Sequence, residues 1–214
     1  MRKKAHYTMA AQALAISQPT MYSEEEYLRI ENDAFEKSEY FQGQIIKMAG
    51  ATPNHNRVKE NIVGELYSVL KKGKSCRSSS SDQRIHIPAN SLYTYPDIVI
   101  VCGPNKFSKL DRITITNPSV IIEILSLSTS EYDRGEKFKL YRDIETLQEY
   151  VLVDSRKPYA QVFRRMPDNQ WILADDAFSL SESITIQTIG AALQMADLYD
   201  GIENVSSLLS PPEE

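Results

Sequence analysis

Cysteine, tryptophan and long apolar runs are scarce in this 214-residue chain, which has two cysteines and one tryptophan. Cys76 and Cys102 stand far apart and form neither a metal-type pair nor a disulfide framework, so we expect free thiols in a reducing cytoplasm. No apolar run approaches the roughly 20 residues needed to span a bilayer. A disulfide-rich secreted domain and a membrane protein are therefore not expected.

A strong excess of positive charge is also missing, because 24 Lys and Arg face 29 Asp and Glu for a net charge of −5. Non-specific nucleic-acid binding depends on phosphate neutralisation, so this balance argues mildly against it. A local basic groove can still exist on an acidic protein. Lys71, Lys72, Lys74 and Arg77 form one basic cluster, which either complements a helix C-terminus or contacts a phosphate backbone.

The periodic part of the sequence predicts one domain over residues 19–209, with a disordered leader at 1–18 and a disordered tail at 210–214. A start codon assigned too early, with Met9 as the second candidate, is the alternative explanation of the leader. The composition is ordinary for a globular domain, with 42% hydrophobic and 25% charged residues. We therefore expect a single hydrophobic core.

The first half of that domain has clear start and stop signals. Ser23 and Glu26 form a capping box that predicts a helix, and a hairpin follows with its turn at Gly43. Asn54 is expected to cap a second helix that ends at Gly73.

The second half alternates apolar strands with a helix. Residues 96–101, 120–125 and 150–153 are nearly all apolar, and a third helix is predicted over 133–144. A closing hairpin is expected over 159–174. The order strand, strand, helix, strand predicts an α/β fold in which helices flank a mixed central sheet, with β-hairpin additions.

Each of two buried strands carries one acid. Asp97 begins the run Ile98-Val99-Ile100-Val101, and Glu123 lies inside Ile121-Ile122-Glu123-Ile124-Leu125. Burying an unpaired carboxylate is costly, so such groups are paired or bind metal. If the strands are neighbours, the two acids converge. Two carboxylates with waters and a phosphate oxygen suit Mg²⁺ or Mn²⁺.

Lys137 is the predicted partner of these acids. It precedes Leu140, Tyr141 and Ile144 by helical spacings and therefore points along the apolar face of the third helix. Beside a metal-bound water, its ammonium would stabilise hydroxide or the charge that develops on phosphate.

Other polar residues are candidates for the same site. Glu39 on the hairpin is a candidate metal ligand and catalytic residue. His55, Asp82 and Tyr141 are weaker candidates, because a capping histidine, a turn aspartate and a packed tyrosine are the ordinary explanations.

The motifs together resemble a known family. Pro96-Asp97 followed by Glu123-Ile124-Leu125 resembles the core of the PD-(D/E)xK nucleases, and the surroundings are similar to the Uma-two family of endonucleases. The matching stretches are 22–28, 39–46, 52–56, 81–84, 95–97, 123–126, 133–141 and 149–153.

The resemblance implies a restriction-endonuclease-like fold and metal-dependent phosphodiester hydrolysis. It implies that Asp97 and Glu123 bind the metal and that Glu39 is the acid from the N-terminal region. Leu125 occupies the place of the usual lysine, and Lys137 resembles a lysine that has migrated to the following helix. We expect a Mg²⁺- or Mn²⁺-dependent endonuclease acting on DNA, assembled as a homodimer.

Two other functions are compatible with the sequence. The chain could be a nuclease fold that has lost catalysis and serves as a binding or interaction module, because fold does not fix function. A glycosidase would need acids exposed in a sugar-sized cleft, which fits acids inside β-branched runs poorly.

Overall fold

The computed structural model describes residues 20–73 and 75–202, so the predicted leader and tail lie outside the described residues. Among the described residues, every helix is too short or too polar to cross a membrane. The helices and strands, in chain order, are α1 (Glu24–Asp33), β1 (Ser38–Phe41), β2 (Gln44–Lys47), α2 (Pro53–Gly73), β3 (Cys76–Ser80), β4 (Ile85–Ile87), β5 (Leu92–Thr94), β6 (Ile98–Cys102), β7 (Val120–Leu125), the helical segment α3 (residues 130–141), β8 (Glu149–Asp154), β9 (Ala160–Arg165), β10 (Trp171–Ala177), β11 (Ser183–Ile186), β12 (Ala191–Gln194) and α4 (Met195–Leu198).

The first two helices begin at capping residues. Ser23 forms both capping-box hydrogen bonds with Glu26, as the sequence predicts. In α2, the Thr52 hydroxyl accepts the His55 N–H at 3.2 Å. The prediction that Asn54 caps this helix is wrong, because Pro53 already occupies its first position, where proline is favoured.

A six-stranded sheet forms the centre of the molecule, in the order β10-β9-β8-β7-β6-β3. Strands β7 and β8 run parallel and the other neighbouring pairs run antiparallel. The predicted mixed sheet and its crossover helix are thus both present. The closing hairpin is also confirmed, as β9 and β10.

The central sheet is buried on both faces, which accounts for its unbroken apolar strands. One face packs on α2 through Val58, Ile62 and Leu66. The other face packs on α3 and on a second sheet, through side chains that include Val99, Ile121, Leu125, Tyr141 and Ile144.

The second sheet has four strands in the order β2-β1-β5-β4 and brings the N-terminal hairpin against the central sheet. The hairpin was predicted, but β5 was not. Strand β3 was not predicted either, because Ser78, Ser79 and Ser80 have weak strand preference. The β11–β12 pair was not predicted either.

The helical segment α3 differs from the ordinary helix predicted over 133–144. It begins with a short α-helix, Ser130–Tyr132, continues as a π-helix, Asp133–Lys137, and ends as an α-helix, Phe138–Tyr141. As predicted, Tyr141 and Ile144 are buried and Lys139 and Arg142 are exposed.

The two cysteines form a disulfide, so the prediction of free thiols is wrong. Strands β3 and β6 pair antiparallel with Cys76 directly opposite Cys102, and their Cα atoms are 4.0 Å apart. The pairing depends on strand register, which a sequence separation of 26 residues does not reveal. Recognising it required the prediction of β3.

His86 is a buried histidine whose ring stacks on Tyr93, with centroids 3.9 Å apart. Neither ring nitrogen has a hydrogen-bond partner among the described residues. Burial lowers the pKa of His86 more than the nearby Glu24 carboxylate raises it. The side chain is therefore held neutral, with its Nε2 3.6 Å from Glu24 Oε2, beyond hydrogen-bond distance. A buried polar group left unpaired in this way costs about 1–3 kcal/mol.

Replacing His86 by phenylalanine is expected to raise the free energy of unfolding by about 1 kcal/mol at neutral pH, because the ring contact is kept and the unpaired nitrogens are removed. Since the wild-type pKa is lowered from 6.5, the unfolded chain binds the proton first. Wild-type stability should therefore fall as pH drops below that value, and the variant should lack this loss. Denaturant unfolding at neutral and acidic pH tests both expectations. A less stable variant at neutral pH would contradict them.

Candidate active site

Asp97 and Glu123 meet because β6 and β7 pair with Ile98 opposite Ile122. Asp97 lies immediately before β6, and its backbone N–H donates to Glu123 Oε2 at 3.2 Å. In return, the Ile124 N–H donates to Asp97 Oδ2 at 2.9 Å. The two acids therefore lie on adjacent strands at one end of the central sheet, as their alternation with apolar neighbours predicts.

Lys137 points from α3 at Glu123 and at two further acids. Its Nζ lies 3.0 Å from Glu123 Oε1, 3.4 Å from Glu39 Oε1 and 3.7 Å from Asp133 Oδ1. Its side chain is only 7% exposed. One ammonium thus joins carboxylates from β7, β1 and its own helix, in the place predicted from the helical face.

The π-helical turn sets the position of Lys137. Asp133 and Lys137 are the buried residues of this five-residue segment. A π-turn widens a helix locally, and such turns occur frequently at functional sites. Asp133 and Lys137, an acid and a base four residues apart, face the same buried point.

Hydrogen bonds hold the acids in place. The Tyr141 hydroxyl donates to Glu123 Oε1 at 2.7 Å, and the Thr94 hydroxyl donates to Glu39 Oε1. The Tyr150 hydroxyl donates to the Asp133 carbonyl at 2.9 Å, which ties the π-turn to β8. Buried polar groups joined in this way have fixed orientations.

His55 closes the site from the N-terminus of α2. Its Nε2 lies 2.8 Å from Asp97 Oδ1. The side chains of Asp97 and His55 are 17% and 12% exposed, whereas that of Glu123 is 4% exposed. The side of the site formed by Asp97 and His55 is therefore more open to solvent than the side of Glu123.

The site has more negative than positive charge. Burial, together with the Asp133 and Asp97 carboxylates, raises the pKa of Glu123 from 4.5 to about 8 against the opposing effect of Lys137. Burial alone would lower the pKa of Lys137, but the carboxylates of Glu123, Glu39 and Asp133 raise it well above its usual range. Lys137 thus stays charged, and the excess of carboxylates attracts either a proton or a cation.

The sequence-predicted residues divide into two groups. The structure brings together Asp97, Glu123, Lys137, Glu39, His55 and Tyr141. Asp82 lies instead in the turn after β3, where it pairs with Lys37 at 2.5 Å. Asp133 was missed as a site residue because it was assigned only to the helix start, although its position four residues before Lys137 places it on the same helical face.

The residues suited to a metal are the two strand acids. Within residues 20–73 and 75–202, no group of three or more His, Cys, Asp or Glu side chains is arranged around one point as ready ligands. Mg²⁺ does not require such a cage, because it commonly binds one or two carboxylates and keeps several waters. The oxygen donors of Asp97 and Glu123 fit that mode of binding.

A mixed sheet with a βαβ crossover, and two acids with a lysine at the end of its adjacent strands, define the restriction-endonuclease-like class of nuclease folds. A solved structure described as a "putative nuclease belonging to DUF820", from Anabaena variabilis, matches 82% of this chain and 96% of its own, with a TM-score of 0.66 and 20% identity. This likeness establishes the fold.

The family follows from sequence. The model of the Uma2 family, "Putative restriction endonuclease", matches residues 24–196, and the chain belongs to this family. Two Synechocystis proteins are similar to it: the uncharacterized protein sll1609 is 38% identical over 70% of this chain and 84% of its own length, and the uncharacterized protein slr1290 is 33% identical over 84% and 92%.

Proposed function

We propose that this protein is a divalent-metal-dependent endonuclease that hydrolyses phosphodiester bonds in DNA. The observation that carries the proposal is the contact of Lys137 Nζ with Glu123 Oε1 at 3.0 Å, beside Asp97 on the adjacent strand. Two acids and a lysine are the groups that metal-assisted phosphodiester hydrolysis needs. Membership of a family of restriction-endonuclease type supports the same reaction.

Asp97 and Glu123 would hold Mg²⁺ or Mn²⁺, with Glu39 as an assisting ligand. When bound, the ion polarises the phosphodiester and stabilises the charge on its oxygens. The excess negative charge of the site favours this cation. Tyr141 and the Ile124 N–H keep the two acids oriented through their hydrogen bonds at 2.7 and 2.9 Å.

Lys137 would orient the attacking water and stabilise charge developing on the phosphate. Its raised pKa keeps it protonated at neutral pH, so it acts as a hydrogen-bond donor and a fixed positive charge. His55 lies on the more exposed side of Asp97, where it fixes one carboxylate oxygen. Cleavage of both strands would need two such sites, which favours a two-fold dimer.

The alternative, a binding module without catalysis, predicts a lysine that points away from the acids. The observed distances of 3.0 and 3.4 Å favour the nuclease instead. Leu125 stands where the superfamily motif has its lysine. In this proposal Lys137 takes the role of that lysine, because its ammonium lies beside Glu123.

The purified protein is expected to nick supercoiled DNA in Mg²⁺ or Mn²⁺ and to lose this activity in EDTA. Single-stranded DNA and RNA belong in the same assay, because the site recognises a phosphodiester whatever its sugar. Asp97→Asn should be inactive, whereas Asp176→Asn, an exposed acid on β10, should retain full activity. Equal nicking by wild type and Asp97→Asn would indicate a contaminant and refute the proposed site.

A further inference from the structure

Two lysines from different elements converge on the turn that contains Ser81 and Asp82. Lys37 Nζ donates to the Ser81 carbonyl at 2.7 Å and pairs with Asp82 Oδ1 at 2.5 Å. Lys59 Nζ donates to the Ser81 hydroxyl at 3.2 Å. Together these two ammonium groups and one carboxylate form what we call the Ser81 corner.

The Ser81 corner lies beside the candidate active site. Lys59 follows His55 by one turn of α2, so the two side chains share a helix face about 5–6 Å apart at Cβ. Lys37 lies two residues before Glu39, and its Nζ sits 5.4 Å from the centre of the Tyr95 ring, two residues before Asp97.

Strand register gives the same placement independently. Ser80, the last residue of β3, pairs with Ile98, the residue after Asp97. The turn that follows β3 therefore emerges at the end of the central sheet where the acids lie. Three elements thus deliver polar groups to one point next to the site.

Asp82 is the exposed partner in this corner. Its side chain is 89% exposed, and the Lys37 ammonium lowers the pKa of its carboxyl through a hydrogen bond and charge attraction. The carboxylate binds the ammonium as a phosphate oxygen would, and among the residues that the structure describes it is held only by this solvent-exposed ion pair. Such pairs contribute little stability, so a polyanion can displace this one.

We propose that Lys37 and Lys59 bind a backbone phosphate flanking the scissile one, and that Asp82 occupies this phosphate site until nucleic acid displaces it. That the neighbouring phosphate is the one cleaved rests on the proposed nuclease function. Binding of a backbone phosphate by the two lysines does not depend on it. Because phosphate contacts position a nucleic acid without reading its sequence, the Ser81 corner would set register and not specificity.

The test measures binding of a fluorescein-labelled DNA duplex and its labelled single strand by anisotropy in EDTA, where cleavage is absent. Lys37→Ala and Lys59→Ala should each weaken binding roughly two- to five-fold. Each should also lower the slope of log K against log salt by about 0.9 for the duplex. Asp82→Asn should tighten binding by a similar factor, and because the side chain is 89% exposed the substitution leaves the packing of the fold unchanged.

Lys72→Ala is the matched control, since it removes the same charge from the other end of α2. An effect of Lys72→Ala larger than that of Lys59→Ala would overturn the proposal in favour of the basic cluster at the C-terminus of α2. No tightening by Asp82→Asn, or no binding by the wild type, would overturn it too. Cleavage is scored separately in Mg²⁺, so a protein that binds through the Ser81 corner but never cuts would refute only the nuclease proposal.

Discussion

Replacing Lys137 by methionine is expected to lower the free energy of unfolding by about 3–5 kcal/mol at a pH of about 8, because it leaves buried carboxylates without their cation. Methionine keeps most of the side-chain volume, so the loss reports charge and not packing. The three carboxylates that face Lys137 would then repel one another, and water would screen them little. Their side chains are 4% exposed in Glu123, 11% in Glu39 and 6% in Asp133. Cleavage should fall about 10²–10³-fold as well, as for loss of one donor that stabilises developing negative charge.

The stability loss should shrink as the pH falls, since protonation of Glu123 and Asp133 relieves the repulsion. Urea unfolding at two pH values separates this effect from a packing defect, which would not depend on pH. Lys139→Met, two residues further on and exposed, is the matched control and should lie within about 0.5 kcal/mol of wild type. A Lys137→Met protein as stable as wild type would show that the acids are neutral without the lysine.

Metal-free wild-type protein is expected to lose stability as the pH rises from about 4.5 to about 8. The pKa of Glu123 is raised from 4.5 to about 8 on folding, so the folded state binds the proton more tightly throughout this range. Where the folded state holds more protons than the unfolded state, the free energy of unfolding falls as the pH rises. For one group the fall is at most about 1.36 kcal/mol per pH unit. The stabilisation that comes from the proton on Glu123 is therefore complete below a pH of about 4.5 and absent above a pH of about 8.

Glu123→Gln isolates this effect, because glutamine keeps an oxygen for Tyr141 but does not titrate. The difference between the two unfolding curves should widen between pH 5 and 8 and stay constant outside that range, in measurements made with EDTA. Adding Mg²⁺ at pH 8 should stabilise the wild type, by about 2.7 kcal/mol at a hundred times its Kd, and leave the variant nearly unchanged. If the free energy of unfolding depends on pH in the same way in the two proteins, Glu123 is ionised in the metal-free folded state throughout this range.

The sequence was sufficient to predict the core of the candidate site. Single acids inside apolar strands need partners, and strand alternation gave the faces of Asp97 and Glu123 correctly. The apolar spacing of α3 pointed Lys137 inward, even though part of that helix is π-helical. These inferences held because each depends on the local spacing of apolar residues along a strand or helix and on the cost of burying one charge.

The rest depended on register and on polar segments. Strand β3 is a run of serines with little preference for extended structure, so neither its pairing with β6 nor the disulfide could be predicted. Asp133 was missed because an acid at a helix start normally stabilises the helix dipole. Thr94 on β5 gave no signal, although its hydroxyl orients Glu39.

The π-turn of α3 makes this part of the site tolerant of a change in chain length. A π-turn holds one residue more than the α-helical turn that it replaces. Loss of one residue from the Asp133–Lys137 segment, such as the exposed Gly135, would leave Asp133 and Lys137 three residues apart, and residues three apart still lie on one helical face. A relative of this protein can therefore be one residue shorter here and keep both charges in the site, so a gap between Asp133 and Tyr141 needs to be allowed when family members are aligned.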